Sequence, residues 1–391
     1  MSTTFQKTRI GDVATVNPES LGRKFSFDKI FYVDISTVGT GTAEEPQEIE
    51  LKKAPSRAKR LVKNGDTILS TVRPNRRSFL YIKEPKKNLV VSTGFAVVRP
   101  EKVNPRYLYY VISNQTFTDY LTRHAKGSAY PAVDAETIEK ADFMLPSEKE
   151  QNTIADILGT YDDLIENNTR RIQILEQMAQ AIYQEAFATT NGKNAPLSDV
   201  ITIYRGKSYA GDELSDTEGL PFVNLKCIDR DGGFRKSGLK RFTGKYKDTQ
   251  KVIAGDIVMA VTDMTQDRRI IARAARIPTL DGGFGIISMD LVKIEPKDSN
   301  DKDYIYSLLR WSDFSNEVKN HANGANVLHL IPDRITDYKT HIASIGRQEE
   351  FGRKVNPILT LIDKFELQNE NLRRLRDLLL PRLVTGEIAV K

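Results

Sequence analysis

The 391-residue chain is poor in the residues that build disulfides and metal centres, with one cysteine, Cys227, and four histidines. A lone cysteine excludes an intramolecular disulfide and a cysteine-based zinc cluster, and this usage fits a reducing cytoplasm. No apolar run approaches the roughly 18 residues that span a bilayer, and residues 1–6 lack an apolar signal segment. We therefore expect a cytoplasmic protein without a bound metal and without a membrane partner.

Catalytic signatures are also scarce. Gly206-Lys207-Ser208 resembles the end of a phosphate-binding loop, but Ile201 stands where such a loop needs its first glycine. The Asn-Pro-Pro or Asp-Pro-Pro segment that begins the tetrapeptide of an amino-methyltransferase does not occur. Asp290, Glu295 and Lys297 have the spacing of a metal-dependent nuclease core, but we expect Pro296 to interrupt the strand that such a core needs. The sequence therefore predicts no catalytic residue.

Charge is unevenly distributed along a chain whose net charge is +6. Residues 1–146 carry +7, whereas residues 147–188 carry −5. The net charge alone favours nucleic acid only slightly. A basic segment joined to an acidic one indicates different partners for the two surfaces.

The chain resembles itself at half its length. The segment that begins at His124, His-Ala-Lys-Gly-Ser, returns 197 residues later at His321 as His-Ala-Asn-Gly-Ala. With the same offset, Ser147 falls on Ser344 and Gln151 falls on Gln348. A single repeat at half the chain length predicts two copies of one structural unit, related by pseudo-two-fold symmetry.

Each copy is predicted to consist of a lobe followed by a long helix. Ser147 and Glu150 form a capping box after Pro146. Apolar residues then recur at alternating spacings of three and four, typical of a heptad seam. The second helix follows the same plan, with Arg347 in place of the capping acid, a polar break at Arg376 and an expected end at Pro381. We predict lobe one over residues 1–146, spacer helix one over 147–188 (stopped by Asn191-Gly192), lobe two over 189–343, and spacer helix two with a C-terminal tail over 344–391.

The two seams predict how the helices pair. If Asn168 faces Asn369 in an antiparallel pair, Ile165 faces Leu372 and Ile172 faces Phe365. The remaining pairs are also apolar, except Tyr161 with Arg376. A buried asparagine pair can fix the register of a coiled coil. A helix of about 40 residues is ~60 Å long, so an antiparallel pair would keep the lobes apart.

The lobes read as mixed α/β. Strand-like runs lie at residues 30–33, 67–70 and 94–98 of lobe one, and at 221–225, 256–260 and 288–292 of lobe two. Each lobe then has one aromatic helix, over residues 107–121 and 304–318. The predicted fold class is α+β, with two similar mixed α/β lobes separated by an antiparallel two-helix coiled coil.

This layout resembles the DNA-specificity subunit of type I restriction–modification systems over essentially the whole chain. The likeness depends on the order lobe, helix, lobe, helix, and on the helix start Glu150-Gln151…Ile154-Ala155…Leu158, matched by Gln348…Phe351. It also depends on the closing stretch that runs from Leu372 through Pro381 to Ile388.

The resemblance implies that each lobe is a target-recognition domain for one half of a bipartite, asymmetric sequence in double-stranded DNA. It implies that the helices dock two methyltransferase subunits, which would use S-adenosylmethionine to methylate adenine N6. A restriction subunit that uses ATP and Mg²⁺ would complete the system where it is present. No cofactor is expected in this chain itself.

Two loops in each lobe are candidates for DNA contact, because Arg and Lys bind phosphates and amide side chains read base edges. The first loop follows an equivalent strand in each lobe, and the second contains the repeated glycine. The candidate residues of lobe one are Arg73, Asn75, Arg76, Arg77, Lys126 and Tyr130. Those of lobe two are Thr262, Asp263, Gln266, Arg268, Arg269, Asn326 and His329. Outside these loops, Arg205 and Lys207 are candidates for non-specific phosphate contact. These segments could equally be solvated basic turns.

Two alternatives remain open. A free-standing DNA-binding or coiled-coil scaffold protein would use the same lobes and helices without a methyltransferase partner. The metal-dependent nuclease suggested by Asp290, Glu295 and Lys297 is the other.

Overall fold

The computed structural model describes residues 5–22, 25–187, 192–297 and 299–390. The chain divides into two compact units, of which unit one comprises residues 1–166 and 370–391 and unit two comprises residues 167–369. Each unit therefore contains a lobe together with part of each long helix. The predicted stop at Asn191 and the boundary between residues 188 and 189 lie outside the described residues.

Lobe one is built from short strands and helices. Its strands are β1 (Gln6–Arg9), β2 (Ala14–Val16), β3 (Lys29–Val33), β4 (Gln47–Glu50), β5 (Ala58–Leu61), β6 (Thr67–Ser70), β7 (Phe79–Tyr81), β8 (Leu89–Ser92), β9 (Phe95–Pro100) and β10 (Asp142–Leu145). Its helices are α1 (Ile10–Val13), α2 (Pro105–Ser113), α3 (Gln115–His124) and α4 (Ala135–Glu139). The chain then enters the long helix α5 (Glu148–Phe187).

Lobe two repeats this arrangement. Its strands are β11 (Lys193–Pro196), β12 (Ile201–Arg205), β13 (Leu214–Ser215), β14 (Leu220–Val223), β15 (Lys240–Phe242), β16 (Lys251–Ile253), β17 (Ile257–Ala260), β18 (Thr262–Asp263), β19 (Ala274–Arg276), β20 (Phe284–Ile287), β21 (Leu291–Pro296), β22 (Leu328–His329) and β23 (Lys339–Ile342). Its helices are α6 (Lys302–Trp311), α7 (Phe314–Val318) and α8 (Asp333–Thr336), and the long helix α9 (Ile345–Val384) follows. Within the described ranges, no helix is both long and apolar enough to cross a membrane.

The sheet topology carries the internal repeat. Lobe one has sheets in the order β2-β9-β6-β7 and β4-β3-β8-β5, and lobe two has β12-β21-β17-β19 and β13-β15-β14-β20-β16. Each lobe has one parallel pair inside an otherwise antiparallel sheet, β3 with β8 and β14 with β20. The first and last strands of each lobe also pair, β1 with β10 and β11 with β23. The mixed α/β class predicted from the sequence is confirmed.

Several local predictions need correction. Each single aromatic helix is in fact two helices, because the Asn114 side chain accepts from the Thr116 backbone N–H and starts α3, and because Ser312 ends α6. The strand expected from residue 288 begins at Leu291. Pro296 is the last residue of that strand, so it does not interrupt it. The ends of these helices and strands therefore depend on capping and turn residues, which apolar runs alone do not reveal.

Pro381 does not end the second long helix, which continues to Val384. A proline lacks the N–H of a helical turn, which is unfavourable. Leu383 and Val384 are buried in the main core of unit one. Burial of these side chains overrides the local preference of proline.

The main core of unit one combines lobe and helix residues. Ile154 and Leu158 of α5 pack with Leu380 and Leu383 of α9 and with the aromatic face of α2. The predicted capping box is present, since the Ser147 N–H donates to the Glu150 carboxylate over 3.0 Å and the Glu150 N–H donates to Ser147 Oγ over 3.4 Å. The start of α5 is therefore fixed to lobe one.

Arg376, the polar break in the predicted seam, is half-buried in unit one. Its guanidinium donates to the Asp162 carboxylate over 2.6 Å, and Asp162 also accepts from the Tyr110 hydroxyl over 2.6 Å. Although burial opposes it, the Asp162 and Asp377 carboxylates raise the pKa of Arg376. The break in the seam therefore joins both long helices to α2.

The main core of unit two is built in the same way. Ala179 and Tyr183 of α5 pack with Phe351 and Val355 of α9 and with the sheet of lobe two. The ring of Phe187 lies 5.3 Å from that of Phe351, and Asn369 Nδ2 donates to Thr169 Oγ1 over 3.4 Å. These contacts run antiparallel along the two helices within this unit.

All residues of the two predicted seams are buried or half-buried. Asn168 and Asn369 are 6% and 3% exposed. Ile165, Ile172, Phe365 and Leu372 are half-buried. Arg347, in place of the capping acid, lies against the Phe187 ring and donates to the Ala186 carbonyl. The pairing of Asn168 with Asn369 stays a prediction, since the described bond of Asn369 goes to Thr169.

Asn369→Leu tests whether this asparagine holds register at a cost in stability. Asn369 Oδ1 is buried without a hydrogen-bond partner. Removing such a group should raise the free energy of unfolding by about 1 kcal/mol, measured by urea denaturation. If Asn369 fixes the register, disulfide trapping between cysteines introduced into α5 and α9 of the leucine variant should capture neighbouring registers as well. Destabilisation by Asn369→Leu would contradict the expectation.

Glu366 should make the stability of unit two depend on pH. It lines a cavity of about 400 Å³ beside Glu176, Asp363 and Arg310. Burial, and then the Asp363 and Glu176 carboxylates, raise the pKa of Glu366 to about 7. The stability that this group contributes is present below its ordinary pKa and is lost as the pH rises through 7.

Glu366→Gln should therefore match the wild-type protein near pH 4 and be more stable near pH 8, by on the order of 2 kcal/mol. Thermal unfolding of both proteins across this range measures the difference. Parallel pH profiles would show that the Glu366 carboxyl titrates normally.

Candidate nucleic-acid interface

The two candidate loops of lobe one meet. The post-strand loop, defined here as residues 71–78, follows β6, and the glycine loop, residues 125–132, follows α3. Val72 forms a β-bridge with Ala132, and the Arg73 N–H donates to the Pro131 carbonyl over 2.7 Å. Segments that are far apart in the sequence therefore form one surface.

The backbone of this surface is held in an uncommon conformation. Arg73 and Arg77 flank a short 3-10 turn and have φ values of 48° and 56°, in the left-handed region. Such conformations in residues other than glycine persist only where the surroundings impose them, and they are concentrated at functional sites. Lys126 and Ala132 exchange two backbone hydrogen bonds of 2.9 Å, which closes the glycine loop.

The side chains of lobe one divide into holders and exposed groups. The Arg77 guanidinium donates to Gln115 Oε1 over 2.7 Å and to the Ser113 carbonyl over 2.8 Å. It therefore braces the loop against α2 and α3. Four other predicted residues are exposed, namely Asn75, Arg76, Lys126 and Tyr130.

Arg73 and Tyr130 contact each other across the two loops. The Arg73 guanidinium lies 4.7 Å from the centre of the Tyr130 ring and donates to the Ala129 carbonyl over 3.1 Å. Tyr130 is 70% exposed. The pair therefore presents a cation and an aromatic face to solvent.

The equivalent loops of lobe two also meet. The post-strand loop here is residues 261–270, and the glycine loop is residues 323–329. Thr262 pairs with His329 and Asp263 with Leu328, as the short strands β18 and β22. Gln266 Nε2 donates to the Ala325 carbonyl over 2.9 Å.

Asp263 organises the post-strand loop of lobe two from inside. Its carboxylate is 1% exposed and accepts from the Thr265 N–H over 2.8 Å and from the Ile270 N–H over 3.0 Å. Thr262 is also buried. These two predicted residues therefore lie beneath the surface, whereas Arg268 is half-buried and Gln266, Arg269, Asn326 and His329 are exposed.

The repeated glycine has a structural reason in both lobes. Gly127 and Gly324 have φ values of 100° and 149°. A Cβ on Gly324 would lie 1.9 Å from the Val327 carbonyl oxygen. The glycine is therefore repeated because each glycine loop needs a positive φ at this position.

Two predicted residues lie apart from the paired loops. Arg205 is the last residue of β12 and is exposed. Lys207 forms a β-bridge with Ser288, and its ammonium lies 3.8 Å from the Glu213 carboxylate. No described contact joins either side chain to the loops of lobe two.

Sequence reasoning missed Met264, which lies in the post-strand loop of lobe two and is 67% exposed. It also missed Gln115, which fixes Arg77. A large apolar side chain in a loop gives no sequence signal of its exposure, and a brace between distant segments gives none either.

Of the residues in the nuclease alternative, Asp290 accepts from Ser288 Oγ over 3.4 Å, and Glu295 lies 3.8 Å from the Lys293 ammonium. Lys297 donates to the Ser198 carbonyl over 2.6 Å. Among the residues that the structure describes, no group of three or more His, Cys, Asp or Glu side chains could hold a metal ion.

Comparisons with known proteins identify the family. Residues 3–177 match the family model of the type I restriction modification DNA specificity domain. The specificity subunit of type I restriction enzyme MjaIX from Methanocaldococcus jannaschii is 26% identical over 357 residues, which cover 83% of this chain and 78% of the relative. That of HindI from Haemophilus influenzae is 23% identical over 458 residues, which cover 97% of this chain and 98% of the relative.

A solved structure shares the fold. The type I restriction–modification S subunit from M. genitalium aligns with a TM-score of 0.58 at 13% identity, covering 100% of this chain and 98% of that one. The chain carries a type I restriction–modification DNA specificity domain, and the family predicted from the sequence is confirmed.

Arg76 and Arg77 should respond differently to substitution, although they are neighbours. Arg76→Ala should leave thermal stability unchanged and weaken DNA binding regardless of sequence. It should also reduce the slope of log Kd against log salt concentration by about one, the value of one phosphate contact. Arg77→Ala should first lower the unfolding temperature, because it removes the brace to Gln115 and Ser113. Titrations with DNA at several salt concentrations, beside thermal unfolding, separate the two effects. A stable Arg77→Ala protein with weakened binding would instead place Arg77 in the interface.

Proposed function

We propose that this chain, a specificity subunit of a type I restriction–modification system, reads one half of a bipartite, gapped DNA target with the paired loops of each lobe. One observation carries the proposal. In both lobes, two loops from separate segments meet beyond an equivalent strand and expose basic and amide side chains on a held backbone. Such side chains contact phosphates and base edges.

The family match supports a non-catalytic recognition role for the chain. The chemistry then belongs to partner subunits, of which two would be methyltransferases that bind S-adenosylmethionine and modify adenine N6. A restriction subunit that uses ATP and Mg²⁺ would join them where the system cleaves DNA. This chain would need no cofactor of its own.

The long helices offer surfaces for the methyltransferases. Large apolar side chains are exposed on both helices, Leu164, Leu375 and Leu378 in unit one and Ile174, Met178, Leu361 and Leu367 in unit two. Exposed apolar patches mark interaction sites in soluble proteins. In this proposal the antiparallel helices also set the distance between the two lobes.

Mapping the modified adenines tests the proposal. Co-expression with the methyltransferase subunits should give a motif of two short specific sequences separated by a gap. Arg268→Ala should relax only the half-site that lobe two reads, with a cost of about 1–3 kcal/mol in binding if this arginine contacts a base. Arg230→Ala, an exposed arginine of lobe two outside the paired loops, is the matched control.

Absence of a gapped motif would contradict the bipartite function. If both half-sites relaxed together, the assignment of one half-site to each lobe would be wrong. Failure to bind methyltransferase, with sequence-specific DNA binding intact, would favour the free-standing scaffold.

A further inference from the structure

Two apolar side chains lie far out in solvent. Tyr130 is 70% exposed and Met264 is 67% exposed, more than the other large hydrophobic side chains of the described residues. The next in order is Leu378, at 59%. Single exposed hydrophobics are common in proteins, so exposure alone does not define a site.

Their positions set these two residues apart. Tyr130 lies in the glycine loop of lobe one, and Met264 lies in the post-strand loop of lobe two. Each is therefore part of the paired-loop surface of its own lobe. The two lobes place an apolar tip on this surface from different loops and with different residue types.

Both tips are carried by a supported backbone. In lobe one, the carbonyls on either side of Tyr130 accept from Arg73, that of Ala129 from the guanidinium and that of Pro131 from the backbone N–H. In lobe two, Met264 follows Asp263, whose buried carboxylate accepts from the Thr265 N–H. A tip that is already positioned loses less conformational entropy when a ligand covers it.

Cationic side chains lie in the same paired loops as each tip. Arg76 and Lys126 are exposed on the loops that carry or face Tyr130, and Arg268 and Arg269 follow Met264 in its own loop. Cations that bind phosphates bring the tips to the bases, where apolar surface is available. Aromatic rings stack on bases, and apolar side chains contact the thymine methyl group or insert at a base step.

We propose that Tyr130 and Met264 are base-contacting residues, each making the apolar contact with the half-site that its lobe reads. This inference rests on the proposed function and deepens it. It assigns part of the specificity to apolar contacts in addition to hydrogen bonds. Met264 makes this contact from a loop whose other exposed side chains are polar or charged.

The test uses the complete complex with its methyltransferase subunits and a duplex that carries the motif mapped for the wild-type protein. Tyr130→Ala and Met264→Ala should each weaken binding by on the order of 10-fold. Each should also relax the mapped motif at one or two positions of a single half-site, a different half-site for each variant. Tyr130→Phe and Met264→Leu retain the apolar surface and should retain most of the affinity.

Matched controls are Met144→Ala on β10 and Ile253→Ala on β16, which remove exposed apolar side chains outside the paired loops. They should leave binding and motif unchanged. Thermal unfolding of all variants shows whether a loss of binding comes from a loss of structure. If an alanine variant is unstable, the Phe and Leu variants still test whether apolar surface supports binding.

The outcomes separate the two proposals. A wild-type complex without a gapped motif overturns the proposed function. A wild-type complex with such a motif, together with alanine variants that keep affinity and motif, overturns only the assignment of Tyr130 and Met264. Loss of affinity in the Phe and Leu variants as large as in the alanine variants would also overturn it, since the apolar surface is then not what binds.

Discussion

The architecture depends on a buried glutamine at the start of each long helix. The Gln151 amide donates to the Pro146 carbonyl over 2.9 Å and accepts from the Asn104 N–H over 2.9 Å. Gln348 does the same with the Ala343 carbonyl over 2.8 Å and the Asp301 N–H over 3.0 Å. Leaving such buried groups unpaired costs about 1–3 kcal/mol each. Each amide therefore joins the first turn of a long helix to the N-cap of α2 or α6.

Because the helix starts are fixed in this way, the long helices belong to the cores of the units. Leu158 and Leu380 complete the core of unit one, and Ala179 and Val355 complete that of unit two. Charged groups make a second connection between each lobe and the long helices. In unit one, Arg376 of α9 donates to Asp162 of α5, which also accepts from Tyr110 of α2. In unit two, Arg310 of α6 donates to Glu176 of α5 over 2.8 Å. A substitution in a long helix therefore alters the packing of the lobe in the same unit.

Sequence periodicity predicted the long helices and the buried seam positions, because burial imposes regular spacing. Apolar runs predicted three strands in each lobe, a minority of the 23 strands described. The repeat also aligns Gln151 with Gln348, which make equivalent contacts. Departures depend on tertiary context that no local pattern contains. Pro381 stays helical because Leu383 and Val384 are buried beyond it, and Arg77 turns inward because Gln115 and Ser113 accept from it. Of the candidate DNA-contacting residues, the exposed ones could be proposed, but Thr262 and Asp263 could not be recognised as buried holders.

In the proposed function, some residues of the paired loops hold the surface and others read DNA. Lobe one holds its loops with Arg77 and with the backbone contacts of Arg73, whereas lobe two uses the buried Asp263 carboxylate. Different holders support the same pairing of loops, so the exposed residues are free to differ. Lobe one exposes Asn75, Arg76, Lys126 and Tyr130, and lobe two exposes Gln266, Arg269, Asn326, His329 and Met264. Surfaces with different side chains favour different bases. If each lobe reads one half-site, as proposed, the two half-sites should be unlike each other, although the lobes share one topology.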